Sequence, residues 1–159
     1  MKPHPVRNNV LTLHKAVASL ERQLYKQAHK LEKQCRSMND RVHWQARGGQ
    51  QTLRQVAGQL RALRRQYRPW RMLRTVLGDY LQCLQTQCAD AEEETKMPMP
   101  KRGISVMQWK AEGESMVLPG ICVEINHLVE TYVPQPINWF QGNIVALDHR
   151  TPNAIKKSA

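Results

Sequence analysis

Residues 53–70 read LRQVAGQLRALRRQYRPW, and this stretch decides the fold that we expect for the chain. Its apolar side chains recur three or four residues apart, at Leu53, Val56, Leu60, Leu63, Tyr67 and Trp70. That spacing is the heptad pattern of a helix that buries one apolar seam against a partner helix. Beyond Pro69 the seam slips by one residue and resumes at Leu73, Leu77, Tyr80 and Leu84. The slip predicts one long helix with a proline kink.

An earlier seam has the same spacing and lies nearer the N terminus. It comprises Val10, Leu13, Val17, Leu20, Leu24, Leu31 and Met38, with polar lapses at Gln27 and Gln34. Between the two seams lies Gly48-Gly49, the only double glycine in the chain and a natural helix stop. We therefore predict a long antiparallel helical hairpin, coiled-coil-like, over residues 1–96 with its turn at Gly48-Gly49. Self-association into a four-helix bundle is an alternative way to bury the seams, so the oligomeric state stays open.

After Met97-Pro98-Met99-Pro100 the apolar pattern changes from helical spacing towards alternation. Three segments read as strands, bounded by turn-rich stretches: Ile104–Trp109, Ile121–Val133 and Trp139–Leu147, with turns at Ala111–Ser115, Pro119-Gly120 and Pro134–Pro136. We predict a linker over 97–103, a small β-rich or mixed module over 104–151 and a mobile basic tail over 152–159. Because the alternation after Ile121 is imperfect, a helix running on through Glu130 stays open as a second interpretation.

Positive charge is concentrated in the N-terminal half of the chain. The whole chain carries 24 Lys and Arg against 13 Asp and Glu, for a formal net charge of +11. Residues 1–74 hold 17 of the basic residues and only 3 of the acidic ones. An asymmetry of this size indicates a dedicated surface for an anionic partner such as a phosphate backbone.

The predicted hairpin would gather the cations on one stretch of its surface. A turn at Gly48-Gly49 makes facing residue numbers sum to about 97, so residues 26–36 lie opposite residues 61–71. Nearer the tip, Trp44 lies between two arginines and offers a ring for base stacking, whereas Tyr67 and Trp70 fall on the seam and are assigned to the core. The candidate nucleic-acid-binding residues are Lys26, Lys30, Lys33, Arg36, Arg41, Trp44, Arg47, Arg61, Arg64, Arg65, Arg68 and Arg71.

No pattern in the sequence indicates catalysis, a metal or a membrane span. Dinucleotide-binding, P-loop, zinc-protease and nucleophile-elbow motifs are absent. His127 has only Glu124 and Glu130 at helical spacing, a weak ligand set. The cysteines show no zinc spacing and are expected to be free, buried thiols in a reducing compartment: Cys35, Cys83, Cys88 and Cys122. We expect a non-enzymatic protein with no cofactor, no metal and no transmembrane segment.

The leading functional hypothesis is a nucleic-acid-binding accessory protein, cytoplasmic, or in the nucleoid or nucleus if it binds DNA. The basic hairpin face would contact phosphates of DNA or RNA, mainly without reading sequence. The C-terminal module would dock a protein partner. The alternative is a coiled-coil adaptor or assembly subunit whose basic face binds an acidic protein. A plain solvated face of a helical spacer is the simplest competing interpretation of the arginines, and binding to acidic lipid is disfavoured because the seams are used in packing.

Overall fold

The structure is a computed structural model that describes the backbone of residues 5–98 and 106–133 and side chains from residue 12 onward. The described residues form four α-helices and one short 3-10 helix, and none of them is in a strand. The helices are α1 (Pro5–Lys30), α2 (Asp40–Gln66), α3 (Trp70–Lys96) and α4 (Val106–Thr131), and the 3-10 helix spans Gln34–Arg36. The mainly helical fold class is therefore confirmed. None of these helices is long and apolar enough to cross a bilayer.

The predicted seams form the core of the protein. Trp70 is only 6% exposed and belongs to this core, and Tyr67 packs against it. Met38, in contrast, is 99% exposed, so the first seam ends before it. The buried seam residues are Leu13, Val17, Leu20, Leu24, Leu53, Val56, Leu60, Leu63, Leu73, Leu77 and Leu84.

The turn between α1 and α2 lies at residues 31–39, so the prediction of a turn at Gly48-Gly49 is wrong. The chain leaves α1 through the 3-10 helix, and α2 begins after Asn39, whose side chain accepts a hydrogen bond from the Val42 N–H at 3.2 Å. This side-chain cap satisfies one of the free N–H groups at the start of the helix. Gly48 and Gly49 lie inside α2 and are buried.

The two buried glycines Gly48 and Gly113 let the backbones of α2 and α4 touch. A β-carbon on Gly48 would overlap the carbonyl oxygen of Lys110 and lie 2.7 Å from its Cα. A β-carbon on Gly113 would overlap the carbonyl oxygen of Gln45 and lie 2.7 Å from its carbonyl carbon. Glycine is needed at both positions because any side chain would push the helices apart. The double glycine is thus a packing feature and not a turn.

The predicted proline kink is a complete break between two helices. Tyr67 leaves α2 with φ −107° and ψ 89°, and Pro69 is extended and precedes the first residue of α3. A proline disfavours the helical region for the residue before it, and its own fixed φ suits a helix start. The second long helix of the predicted hairpin is therefore two helices, α2 and α3.

The predicted β-rich module is wrong for the part of it that the structure describes, because residues 106–131 form α4. Leu118, Ile121 and Ile125 are buried at helical spacing of three and four residues. The predicted turns at Ala111–Ser115 and Pro119-Gly120 are helical. The second interpretation, a helix from Ile121 through Glu130, is the one that the structure has.

Other parts of the C-terminal prediction lie outside the described residues. These are the strand Trp139–Leu147, the turn at Pro134–Pro136, the tail over 152–159 and most of the linker.

The helices share a single core that includes α4. α2 packs against both α1 and α4, and α3 packs chiefly against α4. α3 and α4 are antiparallel, since Gln108 donates to the Met97 carbonyl at 2.6 Å and Arg74 donates to the Val129 carbonyl at 3.0 Å. One apolar cluster contains residues of all four helices. The predicted hairpin is therefore not closed on itself, because α4 covers parts of both α2 and α3.

Candidate nucleic-acid interface

α2 carries an exposed line of arginines, which we call the α2 arginine stripe: Arg47, Arg54, Arg61 and Arg65. Spacings of seven and four residues place these side chains on one side of a helix. Gln51 and Gly58 lie on the same side and are also exposed. At 1.5 Å per residue the stripe is about 27 Å long. It is a narrow basic surface fixed on a rigid element.

Glu21 of α1 pairs with two arginines near the C-terminal end of α2. Its carboxylate accepts a hydrogen bond from Arg64 at 3.2 Å and lies 3.8 Å from the Arg61 Nε. Glu21 is only 8% exposed, and Arg64 keeps a buried Nε without a hydrogen-bond partner. The more buried member of the pair, Arg64, therefore fastens α1 to α2, whereas Arg61 remains exposed at the surface.

Glu32, in the turn after α1, also pairs with two arginines. It lies 3.8 Å from Arg36 and 3.9 Å from Arg54, and it accepts a hydrogen bond from Gln50 at 2.8 Å. The hydrogen bond from Gln50, together with the charges of Arg36, Arg54 and Arg47, holds the pKa of Glu32 below its ordinary value. The single carboxylate is shared by several cations, so net positive charge remains around it.

These pairs fix the register of α1 against α2 and correct the predicted one. Glu21 faces Arg61 and Arg64, and Glu32 faces Arg54, so facing numbers sum to about 82–86 rather than 97. The predicted contact between residues 26–36 and 61–71 therefore does not form, because the turn comes earlier in the chain.

The α1 cations lie away from the stripe. Glu21 of α1 faces α2, and Lys26 and Lys30 are five and nine residues from it, which turns them to other sides of the helix. Lys33 lies beyond the end of α1, in the turn that leads to the 3-10 helix. All three lysines and Arg36 are exposed. Tyr25 lies one turn from Glu21 on the side that faces α2 and is 41% exposed. The structure thus leaves Lys26 and Lys30 away from the stripe, whereas Arg36 shares Glu32 with Arg54 of the stripe.

The remaining predicted arginines occupy two other places. Arg68 lies in the α2–α3 connection and Arg71 in the first turn of α3, and both are exposed; the Arg71 guanidinium lies 5.6 Å from the Trp70 ring. The helix break removes them from the line of the stripe but leaves them beside its end. Arg41 donates to both carboxylate oxygens of Glu112, at 3.1 and 3.0 Å, and so links α2 to α4.

A cavity of about 500 Å³ opens at the N-terminal end of the stripe. Its lining contains three cations, two aromatic rings and two amides, and no acidic residue: Arg47, Arg54, Lys110, His43, Trp44, Gln50 and Gln51. Lys110 comes from α4 and the other lining residues come from α2. We call this feature the tip cavity.

Hydrogen bonds hold one wall of the tip cavity in place. Gln50 donates to the Ala28 carbonyl at 3.1 Å and accepts from the Cys35 thiol at 3.6 Å. Burial raises the pKa of Cys35, which keeps this thiol protonated as a donor. His43 contacts the Cys35 carbonyl through Nδ1 at 2.5 Å and meets Trp44 edge to face, with ring centroids 4.8 Å apart. Contacts within the chain therefore preform this wall of the cavity.

Two cavity cations were missed in the sequence, for different reasons. Arg54 stands seven residues from both Arg47 and Arg61, so heptad spacing could have identified it. Lys110 directly follows the predicted strand Ile104–Trp109, and only the packing of α4 on α2 brings its Nζ to 5.1 Å from the centre of the Trp44 ring. Trp44 and Arg47, which the sequence did single out, meet in this cavity.

The structure shows no metal-binding cluster among the described residues. His127, Glu124 and Glu130 are exposed on α4. The four cysteines are free, but Cys83 is exposed and Cys88 and Cys122 are only half-buried, so the expectation of buried thiols holds for Cys35 alone.

Comparison of the chain with protein-family models, with curated proteins and with solved structures found no match. The class of protein is therefore described from its fold and site alone. It is a mainly helical protein with an arginine-lined surface on α2 and a basic, aromatic cavity at one end of that surface.

Proposed function

We propose that this chain is a non-enzymatic nucleic-acid-binding accessory protein that contacts phosphate backbones through the α2 arginine stripe. The supporting observation is the excess of positive charge on the stripe. Arg47 and Arg65 make no ion pair with any described residue, and Arg54 and Arg61 share their carboxylates with other arginines. Like charges aligned on one helix face oppose folding unless an external anion compensates them.

The length and chemistry of the stripe suit a sugar–phosphate backbone. Guanidinium groups bind phosphate oxygens in a bidentate manner. Phosphates of one DNA strand follow at 3.4 Å along the helix axis, so a stripe of about 27 Å spans about eight of them. Contacts to phosphates carry no sequence information. The proposed binding is accordingly independent of sequence and strongly dependent on salt.

The second part of the proposal is that the C-terminal part of the chain docks a protein partner. The supporting feature in the described residues is one exposed side of α4, where Met116 and Val123, seven residues apart, are 72% and 67% exposed. Large apolar side chains grouped on a surface are typical of protein contacts.

One observation favours the alternative function of an adaptor for an acidic protein. The stripe already binds carboxylates within the chain, at Glu21 and Glu32, and a partner rich in Asp and Glu would present the same group. Competition by an acidic polypeptide distinguishes this function from nucleic-acid binding.

The proposal is tested by fluorescence anisotropy with labelled single-stranded DNA, duplex DNA and single-stranded RNA at about 50 and 200 mM salt. The informative variant is Arg61→Gln/Arg65→Gln, because both arginines belong to the stripe, both are exposed and both lie away from the tip cavity. The matched control is Lys15→Gln/Lys96→Gln, which removes two exposed charges elsewhere. A third arm, Lys26→Gln/Lys30→Gln/Lys33→Gln, tests the lysines in the last turns of α1 and just after it.

We expect the arginine variant to bind duplex more weakly and with a salt slope shallower by about one to two, since each lost phosphate contact reduces the slope by about 0.9. The control should match the wild type. Equal loss in the variant and the control, or no binding by the wild type at the lower salt, would overturn the proposal. Displacement of the strands by poly-glutamate of equal charge, at equal concentration, would favour the acidic-protein adaptor instead.

A further inference from the structure

We propose that the tip cavity binds one unpaired nucleotide of a single-stranded nucleic acid, with the phosphate held by the cavity cations and the base stacked on Trp44. The inference rests on the proposed function, because it is the stripe that brings the strand to the cavity. It adds what the stripe alone does not supply, a preference for strands that have unpaired bases.

The charge of the tip cavity suits a phosphate. Arg47, Arg54 and Lys110 all reach its lining, which contains no acidic residue. Glu32, which pairs with Arg54, is already engaged by Gln50 and shared with Arg36. Asp90, Glu94 and Glu114 line a separate, neighbouring pocket that also includes Gln51 and Lys110. Neither Arg47 nor Lys110 has an ion pair with a described residue. Two of the three cations are thus available to an external anion.

The size and walls of the tip cavity suit the rest of a nucleotide. Its volume of about 500 Å³ lies in the range of pockets that hold small organic ligands, about 300–1,000 Å³. The half-buried indole of Trp44 supplies a flat apolar wall, on which a base of any identity can stack. Gln51 is exposed at the rim, with an amide that can meet the polar edge of a base.

Lys110 couples the two halves of this site. Its ammonium lies 5.1 Å from the centre of the Trp44 ring and covers it as a cation–π partner. A phosphate attracts an ammonium more strongly than an exposed aromatic ring does, and lysine has a flexible stem that lets its charge move. Arrival of a phosphate draws Lys110 off the ring, and the uncovered ring then receives the base.

An unpaired nucleotide meets these requirements and a duplex does not. A base inside a duplex is covered on both faces by its neighbours and must be extruded before it can stack on a side chain. Single strands present their bases freely. The duplex therefore gains from the stripe alone, and a single strand gains from both the stripe and the cavity.

The test uses the full chain and three labelled probes of 15 nucleotides: oligo(dT), an abasic strand with the same phosphates, and a duplex. Anisotropy at about 100 mM salt is measured for the wild type, Trp44→Leu and Trp44→Phe. Circular dichroism melting of each variant checks that it is folded. Trp44→Phe is the matched variant because it reduces the side chain but retains an aromatic ring.

We expect the wild type to bind oligo(dT) at least about fivefold more tightly than the abasic strand, the lower end of the effect of base–aromatic stacking. Trp44→Leu should lose this difference and keep its affinity for duplex, and Trp44→Phe should retain most of it. Equal binding of oligo(dT) and the abasic strand by the wild type would overturn the cavity assignment and leave the stripe proposal intact, because the stripe predicts binding to all three probes. An oligo(dT) preference that survives in Trp44→Leu would also overturn it. Failure of the wild type to bind any probe would overturn the proposed function, and with it this inference.

Discussion

Gly48 shows how a single missing side chain fixes the position of a whole helix. Its backbone lies so close to the Lys110 backbone of α4 that an added β-carbon would overlap the Lys110 carbonyl oxygen. Gly58 has the opposite surroundings, because a β-carbon there would meet no atom within 4 Å. Both glycines are in α2, so they differ in their neighbours and not in their secondary structure.

Gly48→Ala should therefore lower the free energy of unfolding by about 1–3 kcal/mol, the usual cost of overpacking a tight contact. Gly58→Ala should raise it by about 0.5–1 kcal/mol, because alanine restricts the unfolded chain and favours the helix. Urea denaturation followed by circular dichroism measures both changes. Equal effects of the two substitutions would contradict the close approach of α2 and α4.

Glu21→Gln should lower the free energy of unfolding by about 1–2 kcal/mol, because it leaves Arg64 without its charged partner in a mostly buried position. It should also strengthen binding of nucleic acid, since Arg61 and Arg64 would lose their internal competitor. Glu93→Gln is the control: Glu93 pairs with Lys96, and both side chains are about 70% exposed, so its loss should change stability by less than about 0.5 kcal/mol. Chemical denaturation of the two variants measures the change in the free energy of unfolding, and fluorescence anisotropy measures the change in nucleic-acid binding. Weaker binding by Glu21→Gln would argue against the stripe.

At the scale of single residues, the sequence predicted burial better than it predicted contacts. Heptad spacing is a property of each helix alone, and it placed Leu53, Leu60 and Leu73 correctly in the core. The candidate site depended on which residues face each other across two helices. That register follows from the position of the turn, so one wrong turn moved Lys26, Lys30 and Lys33 onto the stripe by mistake.

The sequence contains a helix-start signal for α2 that the prediction overlooked, because the prediction placed the turn at the double glycine Gly48-Gly49. Ser37-Met38-Asn39-Asp40 contains an N-cap residue followed by an acidic first turn, both typical of a helix start. Asn39→Ala should lower the free energy of unfolding by about 1 kcal/mol through loss of the bond to the Val42 N–H. Asn39→Asp should be nearly neutral, because aspartate caps equally well. Thermal melting of the two variants measures the difference, and an equally large loss in both would mean that the cap contributes nothing.

Strands were predicted for α4 because its apolar residues do not follow a clear helical spacing in the sequence. Ile121-Cys122-Val123-Glu124-Ile125 places apolar residues on both sides of the helix, with Ile121 and Ile125 buried and Val123 67% exposed. A short apolar run rich in branched residues reads equally well as a strand, since periodicity cannot separate the two over five residues. Pro119 added to the error, because a proline within a helix is uncommon. Local preference leaves the choice between strand and helix open for this segment, and the packing of α4 against α2 and α3 favours the helix.

At the scale of the whole molecule, the fold depends on α4 as much as on the hairpin that precedes it. Leu118, Ile121 and Ile125 are at most 2% exposed, and each such side chain contributes about 1.5–3 kcal/mol by its burial. Their sum, about 5–9 kcal/mol, is comparable to the total stability of a small domain, about 5–15 kcal/mol.

A chain that ends at Pro98 should therefore lose cooperative thermal unfolding and bind a dye specific for exposed apolar surface. A chain that ends at Val133 keeps every described helix and should retain the cooperative transition. Calorimetry of the two shortened chains makes the comparison. A cooperative transition at an unchanged temperature in the shorter chain would mean that residues 1–98 fold independently, as the sequence had suggested.

The position of α4 in the chain also has a consequence for biosynthesis. Translation proceeds from the N terminus, so α2 and α3 leave the ribosome before the helix that covers them has been made. Until Ile125 has emerged, Leu73 and Leu77 of the nascent chain lack part of their final surroundings, while the arginines of α2 are already exposed close to ribosomal RNA. The order of synthesis thus leaves the nascent chain open to contact with both apolar and anionic neighbours until α4 packs against α2 and α3.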